Sequence, residues 1–155
     1  MDFEPAFELL LKNEGVLSDD ARDSGGLTKF GISKRSYPLE DIANLTKERA
    51  AAIYKRDFWQ PAGCDALPDA IKFHVFDFAV NSGIKQAIRT LQKVVGETPD
   101  GLLGPHTLQA VQSMPADRLV ARYSAARLKF MAGLTGWAAF GAGWANRIAH
   151  NLELI

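Results

Sequence analysis

Residues 68–83 read PDAIKFHVFDFAVNSG, and this stretch decides the fold class. Pro68 can open a helix and Gly83 can close one. Between them Ala70, Ile71, Phe73, Val75, Phe76, Phe78, Ala79 and Val80 leave a helix apolar almost all round. Such a rod must be surrounded by other elements, so it is a central buried helix. His74, Asp77 and Asn81, spaced by three and four, make one polar stripe on it. Buried polar groups need partners, and either internal hydrogen bonds or a wet cleft can supply them. Both readings stay open for Asp77. Asn81, at the helix end, is assigned to a cleft, and His74, with no companion ligand at metal spacing, to a structural role.

The flanking chain repeats the helical pattern. Downstream, Ile84, Ile88, Leu91 and Val95 form one face of a helix stopped at Gly96, and Pro99-Asp100-Gly101 is a turn. Pro105 starts a short helix with Leu108 and Val111. A longer helix after Met114-Pro115 carries Leu119, Tyr123, Phe130 and Leu134. A last helix shows Phe140, Trp144, Ile148 and Leu152 at fourfold spacing, with glycines 133, 136, 141 and 143 implying a bend or tight helix contacts. Upstream, Thr46 caps a helix with Ala50, Ile53, Tyr54 and Phe58 on one face and Pro61 as its stop. Asp2 caps a first helix whose Phe3, Phe7, Leu10 and Leu11 share a face. The expected fold is mainly α, with a small loop or β-hairpin wall before residue 33.

The chain of 155 residues, 47% hydrophobic and 23% charged, suits a folded core and excludes a disordered chain. A single cysteine, Cys64, excludes an internal disulfide and is read as a small packing residue. The first residues form neither a secretory signal nor a membrane span, so no stable membrane insertion is expected. Net charge is zero but uneven: residues 1–104 hold 13 Lys+Arg against 16 Asp+Glu. Residues 105–150 hold Arg118, Arg122, Arg127, Lys129 and Arg147 against Asp117 alone. That basic third either favours an anionic polymer or is a solvated helix face. A nucleic-acid partner is not expected.

Function is concentrated in residues 14–32, EGVLSDDARDSGGLTKFGI. Glu14 continues the stripe of Phe7, Leu10 and Leu11, and Gly15 follows where a helix C-cap belongs. Partial burial and the negative end of the helix dipole would both favour its protonated form, as a general acid needs near neutral pH. On the helix alone an exposed terminal Glu is the plainer reading. Residues 18–26 lack any large apolar group, so they form a surface loop or a hairpin turn and add little stability. That reverses the odds. Thr28, Phe30 and Ile32 alternate with their neighbours, so a short strand is possible there. Phe30, Tyr54 and Trp59 read either as core or as candidate sugar-stacking rings, with Phe30 and Tyr54 slightly preferred for stacking, and Asn81 is a candidate opposite wall.

The segment EGVLSDDARDSGGLTKFGIS resembles the Glu-Gly-Gly…Asp-x-Gly-Gly-x-Thr-x-x-Gly-Ile signature of the glycoside hydrolase family 108 lysozymes, which include phage endolysins. YKRDFWQPAGCDALPDAIKFHVFDFAVNSG is similar to that family's second block. DGLLGPHTLQAV with FGAGWANRIA resembles its C-terminal peptidoglycan-binding region. The resemblance covers nearly the whole chain. It implies a lysozyme-like α+β fold, with a catalytic region over 1–92 and a peptidoglycan-binding-like helical region over 93–155 packed as one compact unit. It also implies a metal- and cofactor-free N-acetylmuramidase that acts as a monomer on the glycan strands of bacterial peptidoglycan. Glu14 stands at the family's catalytic Glu. The spacing of Glu14, Asp23 and Thr28 is similar to the Glu…Asp…Thr arrangement of T4-type phage lysozymes, which implies that Asp23 and Thr28 position water or stabilise the developing sugar cation. Val16 replaces the second glycine of Glu-Gly-Gly, and Ser24 a proline often found after the Asp.

Two rivals remain: a lytic transglycosylase, which can use one Glu without a water-activating partner, and a non-catalytic cell-wall-binding module centred on DGLLGPHTLQAV. A protein made in the host cytoplasm without a signal, reaching the wall through a holin pore, is the context expected.

Overall fold

The computed structural model describes residues 1–14, 17–18 and 27–154, with the side chains of 14, 17 and 18 left out. Two compact units divide it, residues 2–57 and residues 58–155 with Met1.

In the first unit α1 (Phe3–Glu14) and α2 (Lys47–Tyr54) are joined through a small antiparallel sheet. Its strands are β1 (Leu17–Ser18), β2 (Thr28–Lys29) and β3 (Ile32–Ser33), in the order β1-β2-β3. The apolar stripe of α1 faces inward as its spacing predicts: Phe3, Phe7, Leu10 and Leu11 are buried. Phe7 stacks between Phe3 (5.8 Å) and Tyr54 of α2 (5.6 Å). The Thr46 hydroxyl accepts from the Arg49 N–H at 3.1 Å, the expected cap.

The alternation over 28–32 does not make one strand. Phe30 and Gly31 both take positive φ, 52° and 76°, so the chain folds back between them. Thr28 pairs with Ser33 and Lys29 with Ile32. A two-residue turn with both φ values positive matches the twist of a tight hairpin.

The second unit is helical. A π-helical turn (Lys55–Trp59) spans the division, and a 3₁₀ turn (Cys64–Ala66) leads into α3. The helices are α3 (Asp69–Ser82), α4 (Ile84–Val95), α5 (Pro105–Ser113), α6 (Ala116–Ala132) and α7 (Trp137–Leu152). Helix α3 lies at the centre, against α4 and α6, with α7 packed on α6. Trp59 and Phe76 meet edge to face at 5.4 Å, and Phe78 meets Tyr123 of α6 at 6.0 Å. Cys64 is fully buried, as its reading as a packing residue expects, and burial pushes its thiol up to about 12.

The polar stripe on α3 finds internal partners. Asp77, fully buried, accepts from Arg127 Nη1 (2.6 Å), Arg147 Nη2 (2.7 Å) and Asn151 Nδ2 (2.8 Å). Burial alone would raise its pKa, but the guanidiniums of Arg127 and Arg147 hold it at about 2. The basic C-terminal third is therefore not simply a solvated face. Two of its five cations turn inward onto one carboxylate, and this clamp fastens α3, α6 and α7 together. His74 is buried one turn earlier, and desolvation lowers its pKa to about 4, in keeping with a structural role.

Candidate active site

Among the described residues, Glu14, Thr28, Phe30 and Tyr54 fall on three pieces of the first unit. Glu14 is the last residue of α1. Three residues further on, Leu17 begins β1, which pairs with β2 through Leu17–Lys29 and Ser18–Thr28. The chain leaving Glu14 is thus bound directly to the strand that carries Thr28, a half-buried residue. Asp23 lies outside the described residues.

Phe30 sits at the hairpin turn in the left-handed region, uncommon for a large side chain and a conformation its surroundings must hold. One such hold is visible. The Tyr54 hydroxyl donates to the Phe30 carbonyl at 3.0 Å, and the Tyr54 ring, only 3% exposed, is packed on Phe7. Tyr54 therefore acts on this region through its hydroxyl, and its ring belongs to the core. Trp59 is likewise enclosed, with its indole N–H donating to Asp65 at 2.7 Å. Phe30 keeps its ring half-buried beside the Lys29 ammonium, which lies 5.7 Å from its centroid.

Asn81 belongs to the second unit, at the rim of the Asp77 clamp. Its Oδ1 accepts from Ser82 Oγ at 3.3 Å and, at a long 3.5 Å, from Arg127 Nη2. It is half-buried, not enclosed like Asp77.

Sequence reasoning passed over a polar cluster in the first unit. The Tyr37 hydroxyl donates to Asp57 at 3.0 Å, and Arg56 binds the same carboxylate at 2.6 and 2.7 Å. Arg49 grips Glu40 with two hydrogen bonds. Burial and the hydrogen bond to Asp57 push the Tyr37 phenol up to about 12, while Arg56 holds Asp57 below its usual range. These contacts anchor the irregular chain after β3 to α2 and the turn beyond it. No period runs through 34–45, so the Arg56-Asp57 pair was the one available signal.

An acid at a helix end, a hairpin tied to the chain that leaves it, and a central buried helix are the parts of a mainly α, lysozyme-like fold. The chain belongs to the family described as glycosyl hydrolase 108, which matches residues 7–83. A second family, described as "Predicted Peptidoglycan domain", matches residues 86–149. The chain is similar to a solved structure of Brucella abortus SagA, at 34% identity and a TM-score of 0.85, over 96% of this chain and 90% of that one. No protein with a curated description matches it. The protein is accordingly a glycoside hydrolase that acts on peptidoglycan.

The two family matches meet at the start of α4, whereas the compact units meet at residue 57/58. Asp77 thus comes from the hydrolase match, and its partners Arg127 and Arg147 from the peptidoglycan match. The second unit cannot close its core without both.

Proposed function

We propose that the protein is a lysozyme, an N-acetylmuramidase cutting the β-1,4 bond between N-acetylmuramic acid and N-acetylglucosamine, with Glu14 as its general acid. The observation that carries this reading is the phase of α1. Phe7, Leu10 and Leu11 are 3%, 0% and 5% exposed, and Glu14 follows them by seven, four and three residues. The stripe that Glu14 extends is therefore the inward one, and the C-terminal end of the helix adds negative potential. Both effects favour a carboxyl that still holds its proton near neutral pH and can give it to the leaving glycosidic oxygen.

Asp23, in the polar loop, stays ionised in this reading and stabilises the developing sugar cation or orients the attacking water. Thr28 holds that water. The pairing of Thr28 with Ser18 supports this, because it ties the strand to the chain just after Glu14. Phe30 offers an aromatic edge for a sugar, and Asn81 is kept as a substrate-binding residue. The biological setting proposed is a phage endolysin, bacteriolytic once it reaches the wall by way of a holin-type pore.

Glu14→Gln tests the assignment. Wall clearing should fall by at least about a hundredfold, the size of a lost general acid, with an unchanged melting temperature. Substantial residual clearing would overturn it. Mass spectrometry of the released fragments fixes the chemistry: reducing ends mean hydrolysis, and 1,6-anhydro ends would replace the muramidase reading by a transglycosylase.

A further inference from the structure

From Phe130 to Asn146 the chain carries no Asp, Glu, Lys, Arg or His, yet most of these residues lie at the surface. Solvated helix faces normally carry charge, so an uncharged one calls for a reason. Along α7, Trp137, Phe140 and Trp144 follow at intervals of three and four and share one face. Trp144 lies 6.2 Å from Trp137 and 6.0 Å from Phe140, centroid to centroid. Phe140 is 62% exposed, and both indoles are half-exposed.

The fourfold stripe Phe140, Trp144, Ile148, Leu152 is not the buried face of the helix. Steps of four drift by about 40° each on a helix of 3.6 residues per turn. Ile148 is buried, while Phe140 and Leu152 stand at the surface.

Glycines seat these rings. A Cβ at Gly141 would come within 2.5 Å of the Trp137 indole, and one at Gly136 within 3.1 Å of Trp144. Each indole therefore lies directly on backbone, and a ring held in this way loses little freedom when a ligand arrives.

The geometry points to a neutral aromatic platform of Trp137, Phe140 and Trp144 on which pyranose rings of a glycan strand stack, a carbohydrate contact separate from the residues of cleavage. A pyranose presents a C–H face to an aromatic ring and leaves its hydroxyls to water, which suits rings half-exposed at a surface. The lack of charge argues against other partners: an anionic lipid surface or a nucleic acid would be met by Lys and Arg among the aromatics. The three rings also lie within the peptidoglycan-domain match. The inference rests on peptidoglycan as the substrate, but not on Glu14 as the acid.

The test is co-sedimentation of the full chain with purified glycan strands stripped of their peptides, in a Glu14→Gln background so that the strands are not consumed. Phe140→Ala with Trp144→Ala should weaken retention about tenfold, from stacking worth roughly a factor of three per ring, at an unchanged melting temperature. Phe140→Ala alone, at so exposed a position, should weaken it about threefold and keeps the test decisive if the Trp144 variant misfolds. Unchanged retention would overturn the platform. So would retention on phosphatidylglycerol vesicles in its place, or loss of a dimer in solution as the one effect of the substitutions. Should the Glu14→Gln chain still clear walls, the acid assignment falls while the sedimentation result still judges the platform.

Discussion

The two units differ in one buried charge cluster, since both carry ion pairs at their surfaces. In residues 2–57 the ion pairs sit in solvent: Arg49 is half exposed where it meets Glu40, as is Lys47 beside Glu8, and Arg56 beside Asp57 is more so. Pairs of that kind are screened and hold little. In residues 58–155 one carboxylate with no exposure is gripped by Arg127 and Arg147, themselves 3% and 12% exposed. There desolvation is complete enough that the cluster is costly when incomplete. The first unit can therefore tolerate change at these pairs, while the second hangs three helices on one acid.

Asp77→Ala should produce the largest loss. It strands two guanidiniums among α3, α6 and α7, and breaking a buried pair from one side costs about 3–5 kcal/mol. Denaturant unfolding measures it. Arg127→Met sharpens the comparison, because it should cost much less. Asp77 keeps Arg147 and Asn151 (3.0 Å from Arg147 Nε, 2.8 Å from Asn151 Nδ2), the surplus buried charge is gone, and so is the Arg127 Nε, which has no hydrogen-bond partner among the described residues. Equal losses from the two variants would show that the clamp acts by packing and not by charge.

Acid should expose the next contrast. His74 is buried neutral with its pKa lowered from 6.5 to about 4, chiefly by desolvation, against which Asp77 works. Between those values the unfolded chain binds a proton that the folded chain refuses, so stability falls as pH drops from about 6.5 towards 4, by about 3 kcal/mol at most. Asp77, held at about 2 against an ordinary 3.8, adds a further loss only below about pH 4. Urea midpoints at pH 7.5 and pH 4.5 test this. His74→Phe should flatten the slope between them, and an unchanged slope would remove His74 as its cause.

The sequence made the helical unit legible because its signals are local and repeated. The apolar rod 68–83, Gly83 at φ 93° and Gly96 at φ 80° all act where the pattern says they should. Asp77 was visible as an anomaly, but its partners lie 50 and 70 residues away, and no spacing rule reaches that far. They were counted among surface cations because Arg127 and Arg147 look like any others on an amphipathic helix. The hairpin at 30–31 was missed because Phe30 is an unusual residue for positive φ; alternation alone drew one strand through it. Around the candidate site the signal was in residue types, and Glu14 was singled out by the phase of α1 together with the polar loop that follows it. The hydroxyl of Tyr54 could not be foreseen, since the same ring reads equally well as core or as sugar platform.

Tyr54 also gives the smallest effect, and the one that bears most directly on how loosely the first unit is held. Its hydroxyl bonds a carbonyl across 24 residues at 3.0 Å, joining α2 to a turn in which Phe30 occupies an uncommon conformation. Tyr54→Phe leaves the ring on Phe7 and removes that bond, so stability should fall by only about 1 kcal/mol, the usual net value of a neutral hydrogen bond. The loss should be local. Amide exchange should quicken at β2 and β3, while α3, α6 and α7 keep their protection, because the Asp77 clamp is untouched. Activity is the more telling readout: if Thr28 works from β2, a loosened hairpin should lower kcat more than it lowers the melting temperature. An unaltered kcat with faster exchange would separate the hairpin from the chemistry and leave Glu14 to act without Thr28.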